Sequence, residues 1–170
     1  KRLESWGADF LVIACNTAHY YYDAVRDAVK IPIINLIDLV SNHVKVNFPE
    51  HDKVGILASP AVAMTGLYTK RLKELGIEDV WPDPDYQERL FNIIKEVKKG
   101  NTGSKVRDDY EKVCENLLHK GVKIAIIACT ELSVLDGELP INCLDAAQIL
   151  AKEIIQVAKN TKKLTGLAGL

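Results

Sequence analysis

Short apolar runs alternate along the chain with longer segments in which apolar residues recur every three or four positions. Residues 10–14 form an uninterrupted apolar run that is rich in strand formers, which is typical of a parallel strand buried on both faces. Residues 54–58 and 124–128 have the same character, and residues 32–36 predict another short strand. Strands that alternate with helices in this way predict a parallel α/β fold.

The helical periodicity lies between these runs. It predicts helices over about residues 18–29, from the second strand to about residue 46, over Met64 to Leu75 with a stop at Gly76, over about residues 86–97, around Cys114, and over residues 147–158. Residues 159–170 are weakly patterned, and we expect this tail to fray.

An internal repeat is the most informative pattern. Residues 7–15 match residues 121–129: in each copy a glycine ends a helix, an apolar strand follows, and a cysteine comes eight residues after the glycine. A threonine follows each cysteine closely, at Thr17 and Thr130. Two copies of one strand–turn unit predict two similar subdomains related by a pseudo-twofold axis.

The repeat continues beyond the cysteines. Each copy reaches a proline and a short strand, at residues 32–35 and 140–142, and then an aspartate, Asp38 or Asp145, that we expect to cap the next helix. We therefore predict a first subdomain of residues 1–48 plus 137–170 and a second of residues 49–136. Each is a short parallel sheet flanked by helices, with the site in the cleft between them.

The repeated cysteines, Cys15 and Cys129, fall at the carboxyl ends of their strands, where ligands bind in open α/β sheets. The turn that follows opens a helix, whose free N–H groups favour anions and thiolates. Facing subdomains would place the two thiols on opposite sides of one bound acid. One thiolate would remove the α-proton and the other thiol would protonate the opposite face, which inverts the carbon.

Charge and composition limit the classes of binding partner that we expect for this chain. The net charge is −1, which gives no general attraction to nucleic acid or to an anionic membrane, and no apolar run approaches the roughly 20 residues of a membrane span. The four cysteines have no metal-ligand spacing, which favours reduced thiols in a cytoplasmic protein. Cys114 and Cys143 are expected to be small buried hydrophobes.

At this point the residues resemble a known family. Residues 15–19, Cys-Asn-Thr-Ala-His, and residues 128–131, Ala-Cys-Thr-Glu, look like the paired motifs of the aspartate/glutamate racemase superfamily. The Ala-Asp-Phe strand before the first motif is most similar to the aspartate racemase branch. The resemblance implies an amino-acid racemase that uses no pyridoxal phosphate and no metal, with Cys15 and Cys129 as its catalytic acid and base.

The resemblance also implies the substrate contacts. Asn16, Thr17 and Thr130 would hold the carboxylate and amine of an acidic amino acid, with Glu131 beside them. Residues 98–100 look like the Lys-x-Gly motif of the family, which points to Lys98 as the cation for a side-chain carboxylate, with Lys99 as the alternative. Ser59 keeps one hydroxyl of the Ala-Thr-x-Gly-Thr turn of the family, and Val62 replaces the other.

One expectation concerns the start of the chain. The family has an earlier segment with a first strand and a substrate-binding arginine, which this chain lacks. We therefore expect an unpaired sheet edge or an exposed apolar patch near residues 10–14.

Other interpretations stay open at this point. Cys15 and Cys129 could be inert thiols or a disulfide, and the polar residues beside them could be helix caps. Lys98 could be a solvated lysine at a helix end. His19 could be a hydrogen bonder at a helix start or a substrate contact. A hydantoin racemase, a dicarboxylate isomerase and a non-catalytic carboxylate-binding domain are the competing functions, and a homodimer is compatible with all of them.

Overall fold

A four-stranded parallel sheet forms the larger part of the molecule. The computed structural model describes residues 1–135 and 137–159. The sheet has the strand order β4-β3-β5-β6, in which β3 lies between β4 and β5 and pairs with β5 from Gly55–Ala125 to Leu57–Ile127. Its strands are β3 (Lys53–Leu57), β4 (Glu78–Val80), β5 (Ile124–Ile127) and β6 (Asn142–Asp145).

Helices cover both faces of this sheet. Because side chains alternate along a strand, Ile124 and Ile126 of β5 join one buried cluster while Ala125 and Ile127 join the other. Helices α3 (Leu36–Asn47), α5 (Leu67–Glu74) and α8 (Ala146–Ala158) contribute to the first cluster, and α6 (Pro84–Lys98) and α7 (Ser104–His119) to the second. This two-sided burial explains why the strand runs are continuously apolar.

A second, two-stranded parallel sheet contains the amino-terminal copy of the repeat. Strand β1 (Leu11–Val12) pairs only with β2 (Ile33–Ile34) within the described residues, and Val12 is exposed. The preceding short helix α1 (Arg2–Ser5) leaves Trp6 72% exposed. The prediction that residues 10–14 are buried on both faces is therefore wrong, whereas the unpaired edge and exposed apolar surface expected near them are present among the described residues.

The two copies of the repeat have corresponding local structure, with one correction to the predicted caps. Asp145 caps α8 by accepting hydrogen bonds from Ala147 N and Gln148 N. The residue that caps α3 is Asn35 and not Asp38, since Asn35 Oδ1 accepts from the backbone N–H groups at the start of the helix. Asp38 lies inside the helix and pairs with Arg71 at 2.9 Å.

The strand that precedes α8 also differs from the expected division of the chain. We assigned residues 137–170 to the first subdomain, yet β6 pairs with β5 along residues 142–145 and so belongs to the four-stranded sheet. Helix α8 then crosses back to pack against α3, the equivalent helix of the first copy. The remaining subdomain boundaries stay predictions, and residues 160–170, where we expect fraying, lie outside the described residues.

Several helices begin or break at positions that periodicity alone does not predict. The expected helix over residues 18–29 is a 3₁₀ turn (Thr17–Tyr21) followed by α2 (Tyr22–Asp27). The expected helix over residues 64–75 is two helices, α4 (Pro60–Thr65) and α5, separated at Gly66, whose φ of 63° is in the left-handed region. This break turns Met64 out to solvent, where it is 88% exposed.

Candidate active site

A cleft of about 380 Å³ lies between the carboxyl ends of β1 and β5. Its size is within the range of about 300–1,000 Å³ that small-molecule sites occupy. It is lined by the two cysteines and the six substrate contacts that the sequence analysis predicts: Cys15, Asn16, Thr17, Ser59, Lys98, Cys129, Thr130 and Glu131. The parallel topology brings them together because strands that run in the same direction end at the same edge of the fold.

Both repeated cysteines are free thiols. Cys15 is exposed at the end of β1 and Cys129 is half-buried at the end of β5, and neither is in a disulfide. Both cysteines line the same cleft. The disulfide interpretation is therefore wrong for this structure.

His19 holds the turn that carries Cys15. Its Nδ1 lies 2.9 Å from the Cys15 carbonyl oxygen, and its Nε2 accepts a hydrogen bond from Leu36 N at 3.0 Å. These two bonds define a neutral ring protonated at Nδ1. Burial lowers the pKa of His19, although its bond to the Cys15 carbonyl opposes that shift. His19 therefore joins the Cys15 turn to the first residue of α3 and does not line the cleft.

Asn16 and Ser59 are not used as helix caps. Asn16 is 4% exposed and makes no capping bond; its Oδ1 instead accepts a 2.8 Å hydrogen bond from Tyr68 Oη. Ser59 precedes α4 without a side-chain capping bond, and Gln87 Nε2 supports this turn by donating to the Ala58 carbonyl at 2.9 Å. The Asn16 NH₂ group and the Ser59 hydroxyl are therefore not engaged in helix capping.

Glu131 links the second thiol to a cation. The Cys129 thiol donates to Glu131 Oε2 at 3.0 Å, and Thr130 Oγ1 donates to the same oxygen at 3.3 Å. The other carboxylate oxygen, Oε1, is 3.4 Å from Lys98 Nζ. Lys98 is at the last turn of α6 and its side chain is 60% exposed, so its charge is accessible from solvent.

These contacts shift the pKa values of Cys129 and Glu131 in opposite directions. Burial, followed by the hydrogen bond to the Glu131 carboxylate, raises the pKa of Cys129 to about 12. Burial alone would raise the pKa of Glu131, but the bond from the thiol and the charge of Lys98 outweigh it and lower that pKa. At neutral pH the cleft therefore holds a Cys129 thiol that donates to a Glu131 carboxylate.

Helix α6 supplies a wall that the sequence analysis did not predict. Phe91, Ile94 and Lys98 are spaced three and four residues apart, so they share one face of the helix and line the cleft together. Lys95 Nζ lies 4.8 Å from the centroid of the Phe91 ring and supports it from outside. The apolar spacing at residues 90–97 identified the helix but could not indicate which face meets the cysteines.

The remaining candidates lie outside the cleft. Cys114 is fully buried, as expected of a small hydrophobe, whereas Cys143 is half-buried at the edge of the same apolar cluster. Lys99 pairs with Glu96 at 2.7 Å and does not line the cleft. Across residues 1–135 and 137–159, no group of three or more His, Cys, Asp or Glu is placed to hold a metal ion, and no helix is long and apolar enough to cross a membrane.

The fold and the cleft define a parallel α/β protein with two strand-end thiols, equivalent in its internal repeat, that line one cleft. The chain belongs to the Asp/Glu/hydantoin racemase family, which matches residues 1–154. This confirms the resemblance stated from the two cysteine motifs.

Known relatives agree in sequence and in structure. The chain is 28% identical over 158 residues to the broad specificity amino-acid racemase RacX of Bacillus subtilis, covering 91% of this chain and 66% of that protein. It is 26% identical over 135 residues to a glutamate racemase of Persephonella marina, covering 78% of this chain and 50% of that protein. The chain therefore spans about half to two thirds of the length of these curated relatives.

Among solved structures, the aspartate racemase of Picrophilus torridus superimposes with a TM-score of 0.78 at 31% identity, over 93% of this chain and 65% of that one. An aspartate racemase homologue from Pyrococcus horikoshii gives the same TM-score at 28% identity, over 93% of this chain and 70% of that one. The two-subdomain α/β architecture expected from the sequence is thus that of the family.

Proposed function

We propose that this protein is a cofactor-independent racemase that inverts the α-carbon of an acidic amino acid, aspartate or glutamate. The observation that carries the proposal is that Cys15 and Cys129, the equivalent residues of an internal repeat, line one cleft of ligand size together with carboxylate-binding groups. A domain that only binds a carboxylate has no need of a thiol at both positions.

The chemistry is a pair of proton transfers. In one direction the Cys15 thiolate takes the α-proton and becomes a thiol, which leaves the electron pair on the α-carbon and its carboxylate. The Cys129 thiol then gives its proton to the opposite face of that carbon and becomes a thiolate. In the other direction the two cysteines exchange roles. N–H and hydroxyl donors of Asn16, Thr17 and Thr130 would stabilise the charge on the carboxylate.

Burial and the hydrogen bond to Glu131 keep Cys129 protonated before a substrate binds. A bound amino acid brings an ammonium group. If that ammonium lies against Glu131, it neutralises the carboxylate and lowers the pKa of the Cys129 thiol. Substrate binding would then let Cys129 lose its proton more readily, so that it can act as the base in the reverse direction.

The proposed preference for an acidic substrate rests on Lys98. Within the set of side chains that line the cleft, Lys98 carries the positive charge and Glu131 the negative one, and the Phe91 and Ile94 side chains beside Lys98 are apolar. A side-chain carboxylate would exchange with Glu131 as the partner of Lys98. The apolar wall would accommodate the methylene groups between the two ends of the substrate.

The test is uptake of deuterium at the α-carbon in D₂O, followed by proton NMR, with both enantiomers of aspartate, glutamate, alanine and leucine. We expect exchange and racemisation to be fastest with the acidic pair. Faster turnover of alanine or leucine would contradict the substrate assignment, and turnover of a hydantoin or a dicarboxylate isomer alone would favour another member of the family. Binding of aspartate without any exchange would favour a non-catalytic carboxylate-binding domain.

Two further expectations belong with this proposal. We expect a cytoplasmic protein, because its four cysteines are free, and a homodimer. Sedimentation equilibrium over a range of protein concentrations tests the dimer, and a monomer throughout that range would contradict it.

A further inference from the structure

Tyr68 is the one fully buried tyrosine within the described residues whose hydroxyl contacts a side chain of the cleft. It lies on α5, is 0% exposed, and donates a 2.8 Å hydrogen bond to Asn16 Oδ1. Asn16 is 52 residues earlier in the chain and directly follows Cys15. The hydroxyl therefore joins the four-stranded part of the molecule to the turn that carries the first thiol.

The bond determines which end of the Asn16 amide faces the cleft. Since Oδ1 is occupied by the tyrosine, the NH₂ group is the end that remains, and it makes no hydrogen bond to the described residues. Although Asn16 is buried as a whole, its unpartnered Nδ2 atom keeps some solvent-accessible surface. Because Asn16 lines the cleft, the NH₂ group faces the ligand space. A ligand there meets a hydrogen-bond donor.

The opposite orientation of the amide is unfavourable for two reasons. It would point Oδ1, an acceptor, at the carboxylate of a bound acid, so two oxygen atoms would face each other. It would also leave the hydroxyl hydrogen of Tyr68 in an apolar cluster without an acceptor. Burial raises the pKa of Tyr68 well above its usual range, so this hydroxyl stays protonated and remains a donor.

We propose that Tyr68 is a positioning residue, which orients the Asn16 amide so that its NH₂ group donates to the substrate carboxylate beside Cys15. This inference rests on the proposed racemase function of the same cleft. During proton abstraction the carboxylate gains negative charge, so a donor that is already oriented stabilises the transition state more than the bound substrate. Tyr68 acts through Asn16 and does not itself contact the ligand.

The test is Tyr68→Phe, which removes the hydroxyl and keeps the ring in the core. We expect kcat for racemisation to fall on the order of 10-fold with a smaller change in KM. This is less than the roughly 10²–10³-fold loss of a whole donor, because the amide still samples the productive orientation. Tyr110→Phe is the matched control, since Tyr110 is also buried, on α7, with a hydroxyl that has no hydrogen-bond partner. We expect its activity to stay within about twofold of the parent.

A double-mutant cycle separates positioning from a general effect on the fold. If Tyr68 acts through Asn16, adding Tyr68→Phe to Asn16→Ala causes no further loss of kcat. If Tyr68→Phe lowers kcat by the same factor in the parent and in the Asn16→Ala variant, the proposal is overturned. An equal decrease in kcat caused by Tyr110→Phe would also overturn it. Thermal unfolding of each variant identifies any change that comes from stability alone.

The same double-mutant cycle can be measured without turnover, by calorimetry of succinate binding to each variant. We expect Tyr68→Phe to weaken succinate binding several-fold in the parent and not at all in Asn16→Ala. Coupling in succinate binding together with no α-proton exchange by the parent would contradict the racemase function and leave the role of Tyr68 intact. If the parent exchanges the α-proton but neither assay shows coupling between Tyr68 and Asn16, the role of Tyr68 is contradicted and the racemase function stands. A parent that binds no succinate would also overturn the inference about Tyr68.

Discussion

The thiol of Cys129 donates a hydrogen bond of 3.0 Å to the carboxylate of Glu131, two residues further along the chain. The same carboxylate pairs with Lys98, which lies 33 residues earlier in the sequence at the end of α6. The reactivity of this thiol therefore depends on a charge pair built from two separate elements. In the equivalent turn, the residue two positions after Cys15 is Thr17, which is polar but uncharged.

Replacing Glu131 with glutamine should make Cys129 more reactive. The change removes the negative charge that helps to raise the pKa of Cys129 to about 12, while burial, the larger cause, remains. The pKa should therefore fall but stay above the usual value of about 8.5, and each unit of decrease raises the thiolate fraction near pH 8 about tenfold. The measurement is the rate of alkylation by iodoacetamide against pH, with peptide mass spectrometry to separate the cysteines. Cys15 is the internal control, and a Cys129 midpoint that stays or moves to higher pH would contradict the prediction.

The two single variants Cys15→Ser and Cys129→Ser should each lose nearly all racemisation, on the order of 10²–10⁴-fold. A serine hydroxyl does not ionise near neutral pH, so each variant lacks the base for one face of the α-carbon. Each should retain some α-proton exchange with one enantiomer, and the retained enantiomer should differ between them. Exchange in D₂O with both enantiomers measures this. A variant that loses exchange equally with both enantiomers would indicate a single-base mechanism.

Lys98→Met should weaken the use of an acidic substrate while leaving a neutral one little affected. The methionine keeps the length of the side chain and removes the charge that would bind the side-chain carboxylate. We expect KM for aspartate to rise on the order of 10-fold, as expected for the loss of one charge-assisted hydrogen bond. Lys99→Met is the control, because Lys99 pairs with Glu96 outside the cleft. If Lys99→Met has the larger effect, the cation has been assigned to the wrong lysine.

His19→Gln should change how stability depends on pH. The pKa of folded His19 lies below its ordinary value of 6.5, chiefly because of burial. Below about pH 6.5 the unfolded chain therefore binds a proton that the folded chain does not, and the free energy of unfolding falls as the pH decreases. Asp38 opposes this effect because its charge favours the protonated ring.

The variant should be less stable than the parent near neutral pH, since it loses the bond to the Cys15 carbonyl, but it should lose less stability between about pH 7.5 and about pH 5.5. Urea unfolding at the two pH values measures this difference. His119→Gln is the control, since His119 is exposed at the end of α7. A parent that loses no more stability than the His19 variant over this range would contradict the prediction.

The sequence by itself determined the features that are encoded locally. The apolar runs at residues 54–58 and 124–128 are central strands because burial on both faces requires every side chain to be apolar. The repeat placed a cysteine after β1 and after β5, and the eight predicted site residues all line one cleft. Strand β4 was missed because Glu78 and Asp79 are polar and the strand has only three residues at the sheet edge.

Only the tertiary structure decided which residues, distant in sequence, these helices and strands contact. Helical spacing indicated that Tyr68 and Phe91 lie on apolar faces, but not that one contacts Asn16 and the other lines the cleft. The break at Gly66 and the pairing of β6 with β5 likewise depend on neighbours that are distant in sequence. The spacing of apolar residues indicates that one face of a helix is buried, but it does not indicate which element packs against that face. The partner is chosen when whole elements pack, and the contacts that orient the cleft side chains follow from that choice.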